Sequence, residues 1–258
     1  MQSLLDISII LIMIGIGAGA VGSMTGVGGG LLMTPALTFM GFTPAQVAST
    51  SLIAVTSTSA SSTIEYSKQK RIDYAIGSKM AALSIPGAIT GALLSNEISI
   101  ENFKAYFAII LIVTGLYITY KNSIIKEKSA KESKSTSFDL LFYVGSFAAG
   151  IVSSLFGIGG GIIFVPLMIL VLRMAMLRAG PTSQLTLLIS STAGVLTHSI
   201  LGHPDYVHGA YLAIGAFVGG QIGARLSHRL EESILQKLLS IILIGAAIKL
   251  LFDFMNKK

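Results

Sequence analysis

The chain reads as an all-α integral membrane protein made of two inverted-topology repeats, each of about five hydrophobic segments. Three observations predict this: a composition too apolar for water, polar punctuation at membrane-length intervals, and one set of motifs that occurs twice at a nearly fixed offset. Of 258 residues, 52% are hydrophobic and only 12% are charged, whereas soluble domains carry about 25% charged residues. Mean hydropathy is +0.77. At about 20 apolar residues per crossing, spans take up nearly the whole chain, which excludes a soluble globular protein and leaves little for an extramembrane domain. The 28 glycines are scattered among Ile, Leu and Ala, as suits close helix packing or broken helices in a membrane. There is no cysteine, so disulfides, thiolate metal sites and a cysteine nucleophile are excluded. The net charge of +6 falls mostly between apolar runs, where it reports orientation rather than nucleic-acid binding.

Ten apolar stretches follow in order. The first, 4–22, has no basic residue before it and leads straight into glycines, so it reads as a retained span and not a cleaved leader. A glycine cluster then opens the short stretch 31–43; 45–66 is rich in Ser and Thr, 74–95 begins behind Asp73, and 103–121 completes the half. The stretches 138–155, 161–174, 182–201, 207–227 and 234–254 repeat this order. Between the halves, Lys126, Glu127, Lys128, Lys131, Glu132 and Lys134 stand among serines, the composition of an exposed connector. The chain therefore divides into membrane repeat 1 (1–121), a cytoplasmic connector (122–137) and membrane repeat 2 (138–258).

The repeat is visible residue by residue. Gly26-Val27-Gly28-Gly29-Gly30 with Pro35 recurs as Gly157-Ile158-Gly159-Gly160-Gly161 with Pro166, an offset of 131. The offset then becomes 132: Thr50-Ser51 matches Thr182-Ser183, Asp73-Tyr74 matches Asp205-Tyr206, and Gly87 and Gly91 match Gly219 and Gly223. Matched loops differ in charge. Lys68, Lys70 and Arg71 have no Lys or Arg counterpart in 199–205, while Glu97 and Glu101 face a matching loop that contains Arg229. Because basic loops stay in the cytoplasm, matched loops lie on opposite sides, the halves are inverted, and both termini are outside. Five crossings per half and three plus a hairpin have the same parity, so 8 to 10 spans are expected.

The GxGGG-plus-proline element breaks a helix once in each half. Irregular backbone at membrane depth is tolerated only where protein or a water-lined cavity satisfies it, and paired breaks in repeated halves point to a transport site. Free amides of Gly26, Gly28, Gly29 and Gly30 and of Gly157, Gly159, Gly160 and Gly161, backed by helix N-termini, suit an anion. Close helix packing is the competing use, since Gly22/Gly26 and Gly87/Gly91 are also small-xxx-small pairs.

The duplicated GxGGG with its proline, Thr50-Ser51 and Thr182-Ser183, and the two Asp-Tyr pairs together resemble the TauE/SafE family, also called the toluene sulfonate uptake permease family, over essentially the whole chain. The resemblance implies a secondary transporter of anionic sulfur compounds such as sulfite, sulfonates, sulfoacetate or thiosulfate. Members often carry Asp-Trp where Asp73-Tyr74 and Asp205-Tyr206 stand; this chain has no tryptophan, and Tyr serves the same interfacial anchoring.

Hydroxyls are dense in two segments: 10 of 15 residues from Ser49 to Thr63 and 8 of 18 from Thr182 to Ser199 are Ser or Thr. Polar membrane side chains face the bundle interior, so Thr50, Ser51, Thr182 and Ser183, with Gln46 and Gln184, are candidate substrate contacts; Ser57 to Ser62 read as packing. Candidates for ion or proton coupling are Glu65, Tyr66 and His198; His198 matches Tyr66, and a histidine can carry a proton in the physiological range. Arg178 and Arg225 read as orientation signals.

Other motifs fail on context. Gly17-Ala18-Gly19-Ala20-Val21-Gly22 fits GxGxxG but has no preceding strand and no acid about 20 residues on. The glycine loops lack the Lys-Ser/Thr ending of a P-loop, and His198, His203, Asp205 and His208 lack metal-ligand spacing. The expectation is a non-enzyme of the cytoplasmic membrane, with no cofactor and no metal, whose partners are a small anion and the bilayer. It moves its substrate by alternating access, or alternatively as an uncoupled anion channel. The stripe Gly215, Gly219 and Gly223 suits packing within one chain or between copies in a homo-oligomer.

Overall fold

The computed structural model describes residues 2–99 and 136–227 without a break, and scattered positions within 101–112 and 229–252. Among the described residues there are helices and connecting turns, and no strand. The first half supplies α1 (Gln2–Thr25), α2 (Gly30–Phe39), α3 (Pro44–Lys68) and α4 (Tyr74–Leu94); the second supplies α5 (Thr136–Phe156), α6 (Gly161–Leu170), α7 (Met176–Ile200) and α8 (Tyr206–Leu226). The fifth apolar stretch of each half, 103–121 and 234–254, lies outside the described residues apart from scattered positions, as does the connector apart from the start of α5.

Local sequence sets the helix ends. Asp73 caps α4 by accepting the Ile76 amide at 3.0 Å, and Asp205 caps α8 by accepting those of Val207 and His208 at 3.1 and 3.0 Å. The repeated Asp-Tyr is thus a helix start: carboxylate on the first free amides, tyrosine on the first turn. Pro44 and a Thr43/Gln46 capping box open α3.

Packing fixes helix directions. Cross-helix contacts join Ser57 to Ala213 and Ser61 to Phe217, so α3 and α8 run parallel. Gly219 lies on Ile16 and Gly223 on Ala20, so α1 runs with them. In the same way Thr182 meets Asp73 and Thr186 meets Gly77, while Gly87 lies on Phe147 and Gly91 on Ile151, so α4, α5 and α7 form a second parallel trio. The trios oppose one another: Ser62 pairs with Gln184 and Thr56 with Ser191, descending along α7 as α3 ascends. Each glycine contact has its counterpart at the matched position. A Cβ at these glycines would press into the neighbouring helix backbone, so Gly215, Gly219 and Gly223 serve packing inside one chain.

Polarity is distributed inside out. Ser49, Thr50, Ser51, Thr58, Ser183 and Ser190 are fully buried, while Met13, Leu140 and Ile200 are 63%, 65% and 86% exposed. In water an apolar exterior of this extent is a liability; against acyl chains it is the matching surface. By length and hydropathy, one described helix, Ile7–Thr25, is long and apolar enough to cross a membrane, and Gly30–Phe39 and Leu140–Phe156 are shorter apolar helices. The averages along α3 and α7 are lowered by the hydroxyls those helices bury.

Candidate functional site

The two glycine loops lie against each other in the interior. Gly26, Gly28 and Gly29 have φ of 79°, 93° and 81°, and Gly157 and Gly159 have φ of 69° and 76°, a region that costs a side chain about 1 kcal/mol or more. Space forbids one too. A Cβ at Gly30 would meet the Gly157 carbonyl and lie 2.7 Å from Val55; one at Gly161 would meet the Gly26 carbonyl and lie 2.6 Å from the Val27 Cα. The N-terminus of α2 therefore abuts the second loop and that of α6 abuts the first. The loops are not identical: Gly29 is left-handed, while its counterpart Gly160 has φ −69° and ψ 0°.

Backbone bonding in the loops is incomplete. The amides of Val27 and Gly28 both donate to the Gly22 carbonyl, at 2.9 and 3.1 Å, closing the end of α1. Those of Gly29, Gly30 and Leu31, and of Gly159, Gly160, Gly161 and Ile162, find no acceptor among the described residues. Two helix N-termini, each with partial positive charge, thus converge on one buried place with donors to spare.

The Thr-Ser dipeptides hold this arrangement reciprocally. Ser51 donates to the Gly157 carbonyl and Ser183 to the Gly26 carbonyl, both at 2.7 Å. One residue earlier, Thr50 accepts the Asp205 amide at 3.1 Å and Thr182 the Asp73 amide at 3.0 Å. Each serine therefore clamps the opposite half's glycine loop, and each threonine the start of its fourth helix. Gln184 joins them: its Nε2 donates to Gly22 at 2.9 Å and its Oε1 accepts from Ser62 at 3.1 Å. Gln46 is not brought to the loops, since its side chain closes the α3 capping box at the exposed end of that helix.

The coupling candidates separate. Glu65 accepts from Gln221 at 3.0 Å and pairs with Arg225 at 3.3 Å near the end of α3. Tyr66 and His198 do the same job in the two halves: the Tyr66 hydroxyl donates to the Ser23 carbonyl at 2.9 Å, and His198 Nε2 lies 3.0 Å from the carbonyl of Ser154, the residue matching Ser23.

Sequence reasoning missed two groups. Val55 and Leu187, matched at offset 132, sit over the loops, where a Cβ at Gly28 would lie 2.9 Å from Leu187 and 3.2 Å from Val55, and one at Gly159 3.2 and 3.1 Å from them. Their matched, apolar character one turn beyond the Thr-Ser pairs was the available signal. Thr34, which donates to Phe156 at 3.0 Å, has Val165 as its counterpart and so no repeat signal.

The model of one family, described as Sulfite exporter TauE/SafE, matches residues 11–250. The chain belongs to the TauE/SafE family. It is 30% identical over 266 residues to the probable membrane transporter protein YunE of Bacillus subtilis, covering 95% of this chain and 97% of that one. It is 24% identical to the probable membrane transporter protein YfcA of Escherichia coli, over 92% and 86% of the two chains. Identity to the probable membrane transporter protein MJ0441 of Methanocaldococcus jannaschii is 27%, with 91% of each covered. No solved structure matches. Membership makes the chain a membrane protein of a transporter family.

Proposed function

We propose that the protein is a multi-pass secondary transporter of the cytoplasmic membrane that moves small anionic sulfur compounds, of the sulfite, organosulfonate or thiosulfate class, by alternating access between two inverted repeats. The observation that carries this reading is the pair of glycine loops, whose unpartnered amides and converging helix N-termini suit an oxyanion without supplying a fixed counter-charge. The family's description as sulfite exporters supports the substrate class. In the proposed cycle, glycine amides contact the substrate oxygens, the Thr-Ser pairs and Gln184 hold the loops beside it, and Val55 and Leu187 form the apolar barrier that must part.

Matched helices run in opposite directions, which supports the inverted arrangement and alternating exposure of one central site. Lys68, Lys70, Arg71, Arg178, Arg225 and Arg229 gather at the end where α3 and α8 finish, so that end is cytoplasmic by the positive-inside rule.

The test is sulfite, thiosulfate and sulfoacetate flux in proteoliposomes, with chloride as the control anion. Gly28→Leu and Gly160→Leu, each verified as inserted and monodisperse, are expected to lower flux at least tenfold; normal flux in both would refute the site. Saturation with counterflow marks a transporter, whereas flux linear in gradient without counterflow would favour the channel alternative.

A further inference from the structure

The closing turn of α7 brings together two residues five apart. Gly202 is left-handed at φ 72° and the His203 amide donates to the His198 carbonyl at 3.1 Å, the helix-ending arrangement that places residues i and i+5 in contact. α3 ends the same way: Lys70 has φ 55° and the Arg71 amide donates to Tyr66 at 3.2 Å. There the contact is Arg71, permanently charged, 5.2 Å over the Tyr66 ring. At the matched place in the second half it is a pair of imidazoles, with His198 Nδ1 2.8 Å from His203 Nδ1.

The hydrogen bonds fix where the protons of that pair stand. His198 Nε2 lies 3.0 Å from the Ser154 carbonyl, which only accepts, and 3.4 Å from the Ser154 hydroxyl, which can accept as well as donate, so the shorter contact places a hydrogen on Nε2. In neutral His198, Nδ1 is then the acceptor, and His203 Nδ1 must be the donor. Neutral His203 is left with a bare Nε2 lone pair; that atom is buried with no partner among the described residues, on a residue 8% exposed. A Tyr–Arg pair makes the same helix-end contact without leaving any open basic atom.

We infer that His198 and His203 form a proton-binding site at the non-cytoplasmic end of the transporter, taking one proton from that side at His203 Nε2 and favouring the opening of that end. The inference rests on the transport reading above. A second proton is barred, because it would place two cations on adjacent rings and remove the acceptor of the Nδ1–Nδ1 bond. Burial holds His203 below the ordinary histidine range, so the packed end prefers the neutral pair and the proton prefers the hydrated, open one.

Among the described residues no carboxylate pairs with either imidazole. α3 brings no titratable group before Glu65 at the opposite end, α5 carries Asp139 and Tyr143 near its far end, and α6 brings none. The start of α8 brings Asp205 and His208, paired with each other at 2.8 Å, and Tyr206 and Tyr211. Glu97 and Glu101, near Phe103 where it packs on Phe156, are exposed.

The experiment is thiosulfate flux in proteoliposomes as the pH on the non-cytoplasmic face falls from about 7.5 to about 5, the range in which histidine titrates; thiosulfate stays a dianion throughout. Wild-type flux is expected to rise severalfold. His198→Tyr with His203→Arg, which installs the pair the first half already uses, is expected to flatten the profile, as is His203→Phe. A wild-type profile retained in a folded variant overturns the inference. If no anion moves at any pH, the transport reading has failed instead. In that event ¹⁵N spectra of histidine-labelled protein still decide the site: conversion of His203 from the Nδ1–H tautomer to imidazolium supports it, and an Nε2–H tautomer overturns it.

Discussion

Ser51 and Ser183 each give their one hydroxyl proton to a loop carbonyl of the opposite half, and a glycine-loop carbonyl has no helical partner to fall back on. That separates them from back-bonding hydroxyls such as Thr192, which donates to the Leu188 carbonyl of its own helix. Hydrogen bonds between membrane helices average about 0.6 kcal/mol, but a buried carbonyl left without a donor costs about 1–3 kcal/mol. Ser51→Ala and Ser183→Ala are therefore expected to destabilise by about 1–2 kcal/mol each. Thr192→Val, on the exposed face, should change stability by less than about 0.5 kcal/mol. Thermal unfolding in one detergent ranks the three, and equal shifts would remove the clamp role. The Thr-Ser dipeptides were legible in the sequence because they recur; that each one reaches across to the other half was not, since offset arithmetic shows which residues correspond and not which ones touch.

At the scale of the helix, glycine has two opposite meanings on two helices that pack together. A Cβ at Gly17 on α1 would meet nothing within 4 Å, whereas one at Gly219 on α8 would lie 2.8 Å from the Ile16 carbonyl carbon and 2.9 Å from the Ala20 amide nitrogen. Gly17→Ala is expected to stabilise by about 0.5–1 kcal/mol through the helix preference for alanine, and Gly219→Ala to destabilise by about 1–3 kcal/mol by forcing α1 and α8 apart. Paired thermal or denaturant unfolding reads the sign directly; a stabilising Gly219→Ala would mean that the close crossing is not required. The sequence made the spacing of Gly215, Gly219 and Gly223 plain but left the partner open between the same chain and a second copy. Only the matched crossings of α1 on α8 and α4 on α5 assign it. The starts of α4 and α8 were equally legible, because Asp73 and Asp205 mark them, whereas α7 begins at Met176, ahead of the apolar stretch expected from 182. Hydropathy along α3 and α7 was misleading, because those helices bury their hydroxyls and turn Ile64, Leu196 and Ile200 outward.

For the whole molecule, the charge pattern and the helix directions make one joint claim about which end faces which side. Lys68 and Arg229 are exposed at the end where α3 and α8 finish, and Glu97, the residue matching Arg229, is exposed beyond the end of α4. If the halves are inverted, matched positions must lie on opposite membrane faces. The chain contains no cysteine, so single substitutions report without background. In intact cells, Glu97→Cys should react with a membrane-impermeant maleimide, while Lys68→Cys and Arg229→Cys should react only after the membrane is opened. Labelling of Glu97→Cys and Arg229→Cys from the same side would break the inversion and with it the central site shared by both halves, because alternating exposure between two repeats requires that what one half presents outward the other presents inward. Reversal of all three results would keep the fold but exchange its faces, moving the His198–His203 pair to the cytoplasmic end and so overturning its assignment to proton uptake from outside.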